Sequence, residues 1–338
     1  MGRKLFDYVI GNPPYQEDTE GAGRQAKPVY NLFMDEAKKL ASESITLITP
    51  SRWFSGGMGL DSFRSEMLND RHLKAIVDYT NAKDIFPNTS ISGGVNFFVW
   101  KRNYNGKCCF TNTTNGETTT EMRDLTEFPV LVRYNRAVDI IHKVKEVSFE
   151  NLASITSGLM PFGLSTNYRG RSRKSDTDAL TLYASNSVTY ISASEIIKGT
   201  EFVDKYEVMI SKTGAEHAGE PSKEGTFRVI PSSMKVIGPN EVCTHSYFLV
   251  GKYDDEKTAN NVYKYMRTKL VRFLMLMSMS GYGLSKLVMY FVPLQNFSDN
   301  SDIDWSRDEK SIDAQLYEKY GLCEEEVDFI ESNIKEMA

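Results

Sequence analysis

The spacing of apolar residues changes period several times along the 338-residue chain, and each change predicts an element. Phe6-Asp7-Tyr8-Val9-Ile10-Gly11 is a run of β-branched, aromatic and small residues that reads as a buried strand. Pro13-Pro14 ends it, because proline supplies no N–H to a sheet ladder. Val29, Leu32, Phe33, Ala37 and Leu40 recur at helical spacing, with Pro28 suited to a first turn. Ser44 to Thr49 is a second strand stopped by Pro50, and Leu60, Phe63, Met67 and Leu68 mark a second amphipathic helix. Leu73 to Tyr79 and, after Gly93-Gly94, Val95 to Lys101 complete four strands. Such alternation predicts a parallel sheet covered on both faces. Residues 103–150 read as a last hairpin and then a helix, Val130 to Val144.

From about 151 to 298 the pattern becomes irregular. Short β-like runs, Ala179 to Tyr183, Thr189 to Ser192, Tyr206 to Ile210, Thr226 to Ile230 and Tyr247 to Val250, alternate with Gly, Ser, Asn and Lys loops. Ala259, Val262, Met266, Phe273, Leu274 and Met277 then run at helical intervals, a stripe that reads as core. Arg267, Lys269 and Arg272 on the same long helix read as a solvated face. The last 40 residues predict a helical tail: Ile312 to Tyr320, a stop at Gly321, and a helix opened by Glu324-Glu325-Glu326, whose charges suit a first turn. Three segments are expected: 1–150, 151–298 and an acidic tail, 299–338.

Composition adds limits. At 41% hydrophobic and 25% charged, the chain is long enough for two cores. No apolar run approaches a membrane span, and the first residues lead into a strand, so no membrane partner and a cytoplasmic location are expected. The four cysteines, including adjacent Cys108 and Cys109, show neither metal-ligand spacing nor a disulfide framework and read as free thiols. The net charge of −5 conceals an asymmetry: from Asp299 onward there are 13 acidic and 4 basic residues, against 32 and 36 before it. Acid is gathered in the tail, and local basic patches carry any phosphate binding.

The candidate chemistry sits at the first strand's end, where open α/β sheets bind ligands. Asn12 and the carbonyl of Pro13 are two acceptors on a rigid frame, placed to take both hydrogens of an exocyclic NH2 group. Two such bonds draw the nitrogen out of conjugation and free its lone pair. Tyr15 offers a flat face on which the ring carrying that amine can stack, and Pro14 stiffens the turn.

Asn12-Pro13-Pro14-Tyr15 after a hydrophobic strand resembles motif IV of the amino-methyltransferases, with Asn pointing to adenine N6. Pro50-Ser51-Arg52-Trp53-Phe54-Ser55-Gly56-Gly57, Gly93-Gly94-Val95-Asn96-Phe97-Phe98, Pro161-Phe162-Gly163-Leu164 and the tail around Leu316-Tyr317 and Tyr320-Gly321-Leu322 are similar to type II restriction-modification adenine methylases. The resemblance implies an α/β fold: part of a Rossmann-like methyltransferase sheet, then an α+β target-recognition domain and a short helical tail. It implies S-adenosylmethionine as cofactor, double-stranded DNA as partner, and a flipped adenine held by Asn12 and Pro13 and stacked by Tyr15. In the family an aromatic near the start of the fourth strand closes the base's far side. Phe97 is expected there, with Phe98 in reserve because strand phase is open.

The family's cofactor turn, an aromatic-x-Gly-x-Gly after its first strand, lies upstream of this motif. The eleven residues before Asn12 have no room for it, so a preceding region or another chain is expected to carry the cofactor half. Ser157 to Gly163 is the best downstream candidate, but its prolines and polar neighbours do not suit a strand-to-helix turn.

Tyr168-Arg169-Gly170-Arg171-Ser172-Arg173-Lys174 gathers four cations, with a glycine to let the backbone approach a phosphate; Arg169, Arg171, Arg173 and Lys174 are the expected DNA contacts. His72, His142, His217 and His245 are scattered without catalytic partners, although Glu216-His217 could contact substrate. No nuclease motif is evident. Two other readings stay open: methylation of a protein glutamine or RNA guanine, for which Asn-Pro-Pro-Tyr also serves, and a DNA-binding specificity module without activity.

Overall fold

A computed structural model of the protein describes residues 5–17, 26–54, 59–89, 91, 93–175, 179–212, 222, 225–229, 233–279, 284 and 286–337. Most of the loop expected at 16–25, Ser55 to Gly57, Glu216-His217 and Ile230 lie outside them. The chain divides into two compact units, Met1–Val138 and Asp139–Ala338.

The first unit is built on β1 (Phe6–Gly11), α1 (Tyr30–Leu40), β2 (Ala41–Pro50), α2 (Asp61–Asn69), β3 (Leu73–Tyr79), β4 (Val95–Lys101), β5 (Cys108–Thr114) and β6 (Glu117–Arg123). Its six strands lie in the order β1-β2-β4-β3-β5-β6. Here the expectation of a parallel sheet is corrected. β1 and β2 run parallel, as do β3 and β5, but β4 inserts antiparallel to both β2 and β3. The connection from β3 to β4, residues 80–94, holds only the short 3-10 turn Ala82–Asp84 among its described residues and brings the chain back antiparallel through Gly93-Gly94.

Coverage on both faces is corrected as well. One core lies on one face: Tyr30, Met34 and Ala37 of α1 and Phe63, Met67 and Leu68 of α2 pack with Trp53 and Phe54 over Ile45, Leu47, Ile76, Phe98, Trp100 and Phe110. On the opposite face Ile48, Val77, Phe97 and Val99 are half-exposed, and Tyr8 and Ile10 are exposed.

The helix expected at Val130 to Val144 begins later, as α3 (Asn135–Val147). Residues 131–133 are tied down beforehand: Leu131 N–H donates to Phe54 O at 2.9 Å, and Arg123 Nη1 donates to Val132 O at 2.6 Å. The division between units falls inside α3, twelve residues before the expected 150.

The second unit has two small sheets. β7 (Leu180–Ala184), β8 (Ser187–Ile191) and β11 (Glu241–Cys243) form one, and β9 (Tyr206–Ser211), β10 (Met234–Ile237) and β12 (Tyr247–Tyr253) the other. They share a core containing Phe162, Leu164, Leu182, Met209, Val242 and Leu249. The run from Thr226 forms no strand among the described residues; Phe227 makes an isolated bridge to Ile334.

The predicted long helix is broken at Thr268 into α4 (Glu256–Arg267) and α5 (Lys269–Met277), because Thr268 is extended and its hydroxyl caps α5 at Val271 N–H. Arg272 is 1% exposed and donates to the carbonyls of Arg267, Arg228 and Lys335, while Arg267 and Lys269 pair with Glu309 and Glu331. The expected solvated face is therefore a set of internal ties, and burial lowers Arg272 to about 10. The tail helices α6 (Glu309–Lys319) and α7 (Glu324–Asn333) belong to this unit: Asp313 of α6 accepts from the Lys269 and Leu270 N–H groups that open α5.

Candidate active site

β1 delivers its acceptors to the rim of the sheet. Gly11 pairs with Leu47, Leu47 with Phe98, and one residue further along β2 Ile48 pairs with Phe97. Continuing β1 by one residue sets Asn12 abreast of Ile48, in the row that also holds Phe97 and Val77. Two strand spacings separate the Asn12 and Phe97 backbones, roughly 9–10 Å.

Alternation then settles which phenylalanine faces which way. Phe98 is fully buried in the core, whereas Phe97 lies half-exposed on the open face. Asn12 is exposed, and its amide makes no hydrogen bond among the described residues; Pro13 is buried and Pro14 exposed. Tyr15 is half-buried, its hydroxyl out of water and without a hydrogen-bond partner among the described residues, and burial raises its pKa. Its carbonyl accepts from Val29 N–H at 3.3 Å, and Glu17 N–H donates to Lys27 O at 2.9 Å, a two-bond neck that ties the motif to the start of α1.

Beneath this rim runs a buried polar row that the sequence reading missed. Thr49, Asn96, Asp78 and Asn112 are register partners across β2, β4, β3 and β5. Asp78 is fully buried and accepts from Ser51 Oγ at 2.6 Å, Asn112 Nδ2 at 2.9 Å, and Arg133 Nε and Nη2 at 2.8 and 2.7 Å. Arg133 Nη1 also donates to Gly93 O at 2.8 Å, while Asn96 Nδ2 donates to Thr49 O at 3.2 Å. Gly94, at φ +80°, has no room for a side chain: a Cβ would lie 2.2 Å from Tyr79 O.

The Pro50-Ser51 and Gly93-Gly94 segments are thus locked to one carboxylate. Polar residues at core positions of the second, third and fourth predicted strands were the available signal, since each breaks the apolar alternation.

Among the described residues no glycine-rich turn joins a strand to a helix. β1 runs into Asn12-Pro13-Pro14-Tyr15 and β2 into Pro50-Ser51. Ser157 to Gly163 leads into no helix, Met160 sits at φ +58°, and Phe162 fills the core. The described residues therefore do not fit the binding of an adenosyl cofactor.

The four cations of the second unit are not equivalent. Arg171 Nη2 pairs with Glu195 at 2.6 Å, and Tyr168 donates to the same carboxylate. Arg169 Nη1 donates to Thr166 O and Tyr168 O, both at 2.8 Å. Arg173 and Lys174 are exposed and make neither a hydrogen bond nor an ion pair among the described residues.

Residues 1–86 match the profile of the Eco57I restriction-modification methylase family. A protein of Mycoplasma pneumoniae described as an uncharacterized adenine-specific methylase is 32% identical over 110 residues, 32% of this chain and 26% of the relative. The chain thus spans about a quarter of the length of that curated relative. The type IIL restriction-modification enzyme MmeI, solved in complex with DNA, aligns over 98% of this chain and 55% of its own, at 10% identity and TM-score 0.39. The type IIG restriction endonuclease BpuSI aligns over 92% and 49%, at 10% identity and TM-score 0.35. The segment matched by that family profile contains Asn12 to Tyr15.

Proposed function

We propose that this chain carries the amine-activating and DNA-reading parts of an adenine-N6 DNA methyltransferase of a restriction-modification system, with S-adenosylmethionine as methyl donor. The observation that carries the reading is the exposed, unpartnered Asn12 amide at the end of β1, beside buried Pro13 and in one row with Phe97. Asn12 Oδ1 and Pro13 O accept the two N6 hydrogens of an adenine taken out of the duplex, which localises the nitrogen lone pair for transfer. Tyr15 stacks on the base, and Phe97 lines its other side from β4.

The methyl donor supplies an electrophilic carbon. The described residues lack its glycine turn, and a further segment or partner chain carrying the cofactor half is part of the proposal. The second unit reads the duplex, with Arg169, Arg171, Arg173 and Lys174 on phosphates.

Transfer of a tritiated methyl group to duplex DNA, with the cofactor half supplied, tests the reading. Asn12→Ala should lower turnover about a hundred- to a thousandfold, as expected for a preorganised polar group at a reacting centre. Duplex affinity should be unchanged. A variant retaining more than half of wild-type turnover would refute the role of Asn12.

A further inference from the structure

The β5–β6 and β7–β8 pairs are both antiparallel hairpins closed by two residues, Asn115-Gly116 in one and Ser185-Asn186 in the other. In the first, Asn115 and Gly116 sit at φ +52° and +81°, the conformations that a tight hairpin favours and that Asn and Gly adopt readily. Neither Ser185 nor Asn186 has a positive φ. The backbone therefore does not require asparagine at 186, and its side chain is exposed.

This second turn is braced from behind. Ser185 Oγ lies 2.6 Å from Ser246 Oγ, Thr244 N–H donates to Tyr183 O at 3.0 Å, and Tyr247 Oη donates to Ala184 O at 3.4 Å. The segment leading into β12 thus pins the end of β7, and Asn186 stands on a fixed tip.

On the β8 side lies the basic run. Arg171 and Tyr190 exchange both backbone hydrogen bonds, at 2.8 and 2.9 Å, and Gly170 permits the approach, since a Cβ there would lie 2.5 Å from Tyr190 O. The bridge is antiparallel, so the run sets out from Arg171 towards the Ser187 end of β8, with Arg173 and Lys174 exposed. On the β7 side Lys235 Nζ sits 3.7 Å from the centroid of the Tyr183 ring. Cations from two distant segments flank the two strands of one ribbon.

We propose that the β7–β8 ribbon enters the major groove of duplex DNA and that Asn186 reads an adenine there, as a specificity-determining residue outside the basic run. A two-stranded ribbon fits that groove, and a carboxamide offers the donor and acceptor that match adenine N7 and N6–H in one plane. The flanking cations meet backbone phosphates, which orient the ribbon without reading sequence. This adenine stays paired in the duplex and is not the base that Asn12 and Pro13 take. The proposal rests on the DNA-reading function given above for the second unit.

Selection from a pool of duplexes with a randomised centre, carried out with the full chain, is the test. The wild type should enrich one sequence. Asn186→Ala should enrich the same sequence with the preference for adenine lost at one position, a relaxation of roughly ten- to a hundredfold. Retention of the other positions shows that the variant is folded. Asn186→Asp, which keeps an acceptor and loses the donor, should turn that position towards cytosine. Arg173→Gln/Lys174→Gln should weaken retention of every sequence without changing the one selected. An unchanged preference in both Asn186 variants, or an equal loss of affinity for all sequences in Asn186→Ala, would overturn the role of Asn186 and leave the DNA-reading function in place. If the wild type enriched no sequence, the DNA-reading function would fail and this proposal with it.

Discussion

Arg133 closes a two-point pair on Asp78 inside the first unit, Nε to Oδ2 at 2.8 Å and Nη2 to Oδ1 at 2.7 Å, and turns its remaining nitrogen to Gly93 O. Removing one partner of a buried pair leaves the other charged and unpaired, which costs about 3–5 kcal/mol. Asp78→Ala should therefore lower stability by that amount in urea unfolding. The double variant Asp78→Leu/Arg133→Met should lose less than either single change, because no charge is stranded. A loss below about 1 kcal/mol for Asp78→Ala would show that solvent reaches the site.

The basic run divides by its partners. Arg173 and Lys174 are exposed without partners among the described residues, whereas Arg171 is held by Glu195. Neutralising Arg173 and Lys174 together should flatten the salt dependence of duplex binding by up to about 1.8 log units per log salt, two contacts at about 0.9 each. Arg171→Gln should do less, since Glu195 already offsets its charge. An equal effect of Arg171→Gln would mean that the Glu195 pair opens on DNA.

Glu207 of β9 is fully buried, and neither carboxyl oxygen has a hydrogen-bond partner among the described residues. Burial, followed by the nearby Asp204 and Glu241 charges, pushes its pKa up from 4.5 to about 9. The folded form holds the proton that the unfolded chain releases near its ordinary value. Stability should therefore be full below pH 4.5 and fall as pH rises towards 9, by at most about 1.4 kcal/mol per pH unit. Glu207→Gln should remove this dependence, gaining on the wild type at pH 8 and not at pH 4. Parallel stability profiles for the two proteins would refute the assignment.

β1 is an edge among the described residues, paired with β2 alone, and it displays Phe6 at 55%, Tyr8 at 63% and Ile10 at 82% exposure. An apolar edge of this kind templates pairing with another strand. Light scattering on the purified chain should show self-association, relieved by Ile10→Lys or by coexpression with a partner carrying the cofactor-half strands. A monodisperse monomer at high concentration would show the edge to be harmless.

The elements with clean periodicity were legible in advance. Phe6–Gly11, Leu73–Tyr79 and Val95–Lys101 appear with the expected bounds, but Phe6–Gly11, expected as a buried strand, is an exposed edge with no buried residue, because burial depends on the neighbouring strands and not on local composition. Also legible was the Asn12 to Tyr15 motif, whose rigid backbone follows from two consecutive prolines. The break at Thr268 was not legible, since the helical stripe runs straight through it. A capping hydroxyl and a buried aspartate from α6 decide that break, and the aspartate lies 45 residues away.

The sequence by itself determined the strand that ends at Asn12-Pro13-Pro14-Tyr15, the helices that follow it, and the placement of acid in the tail, all of them set by local backbone and side-chain chemistry. Only the tertiary structure decided that Phe97 lies on the open face, in the row that Asn12 continues, while Phe98 is buried in the core, because one register shift would exchange them. It also decided which cations are paired among the described residues, and that Asp78, Ser51, Asn112 and Arg133 are one buried network. Those are relations between residues far apart in the chain, fixed by strand pairing, and no local pattern carries them.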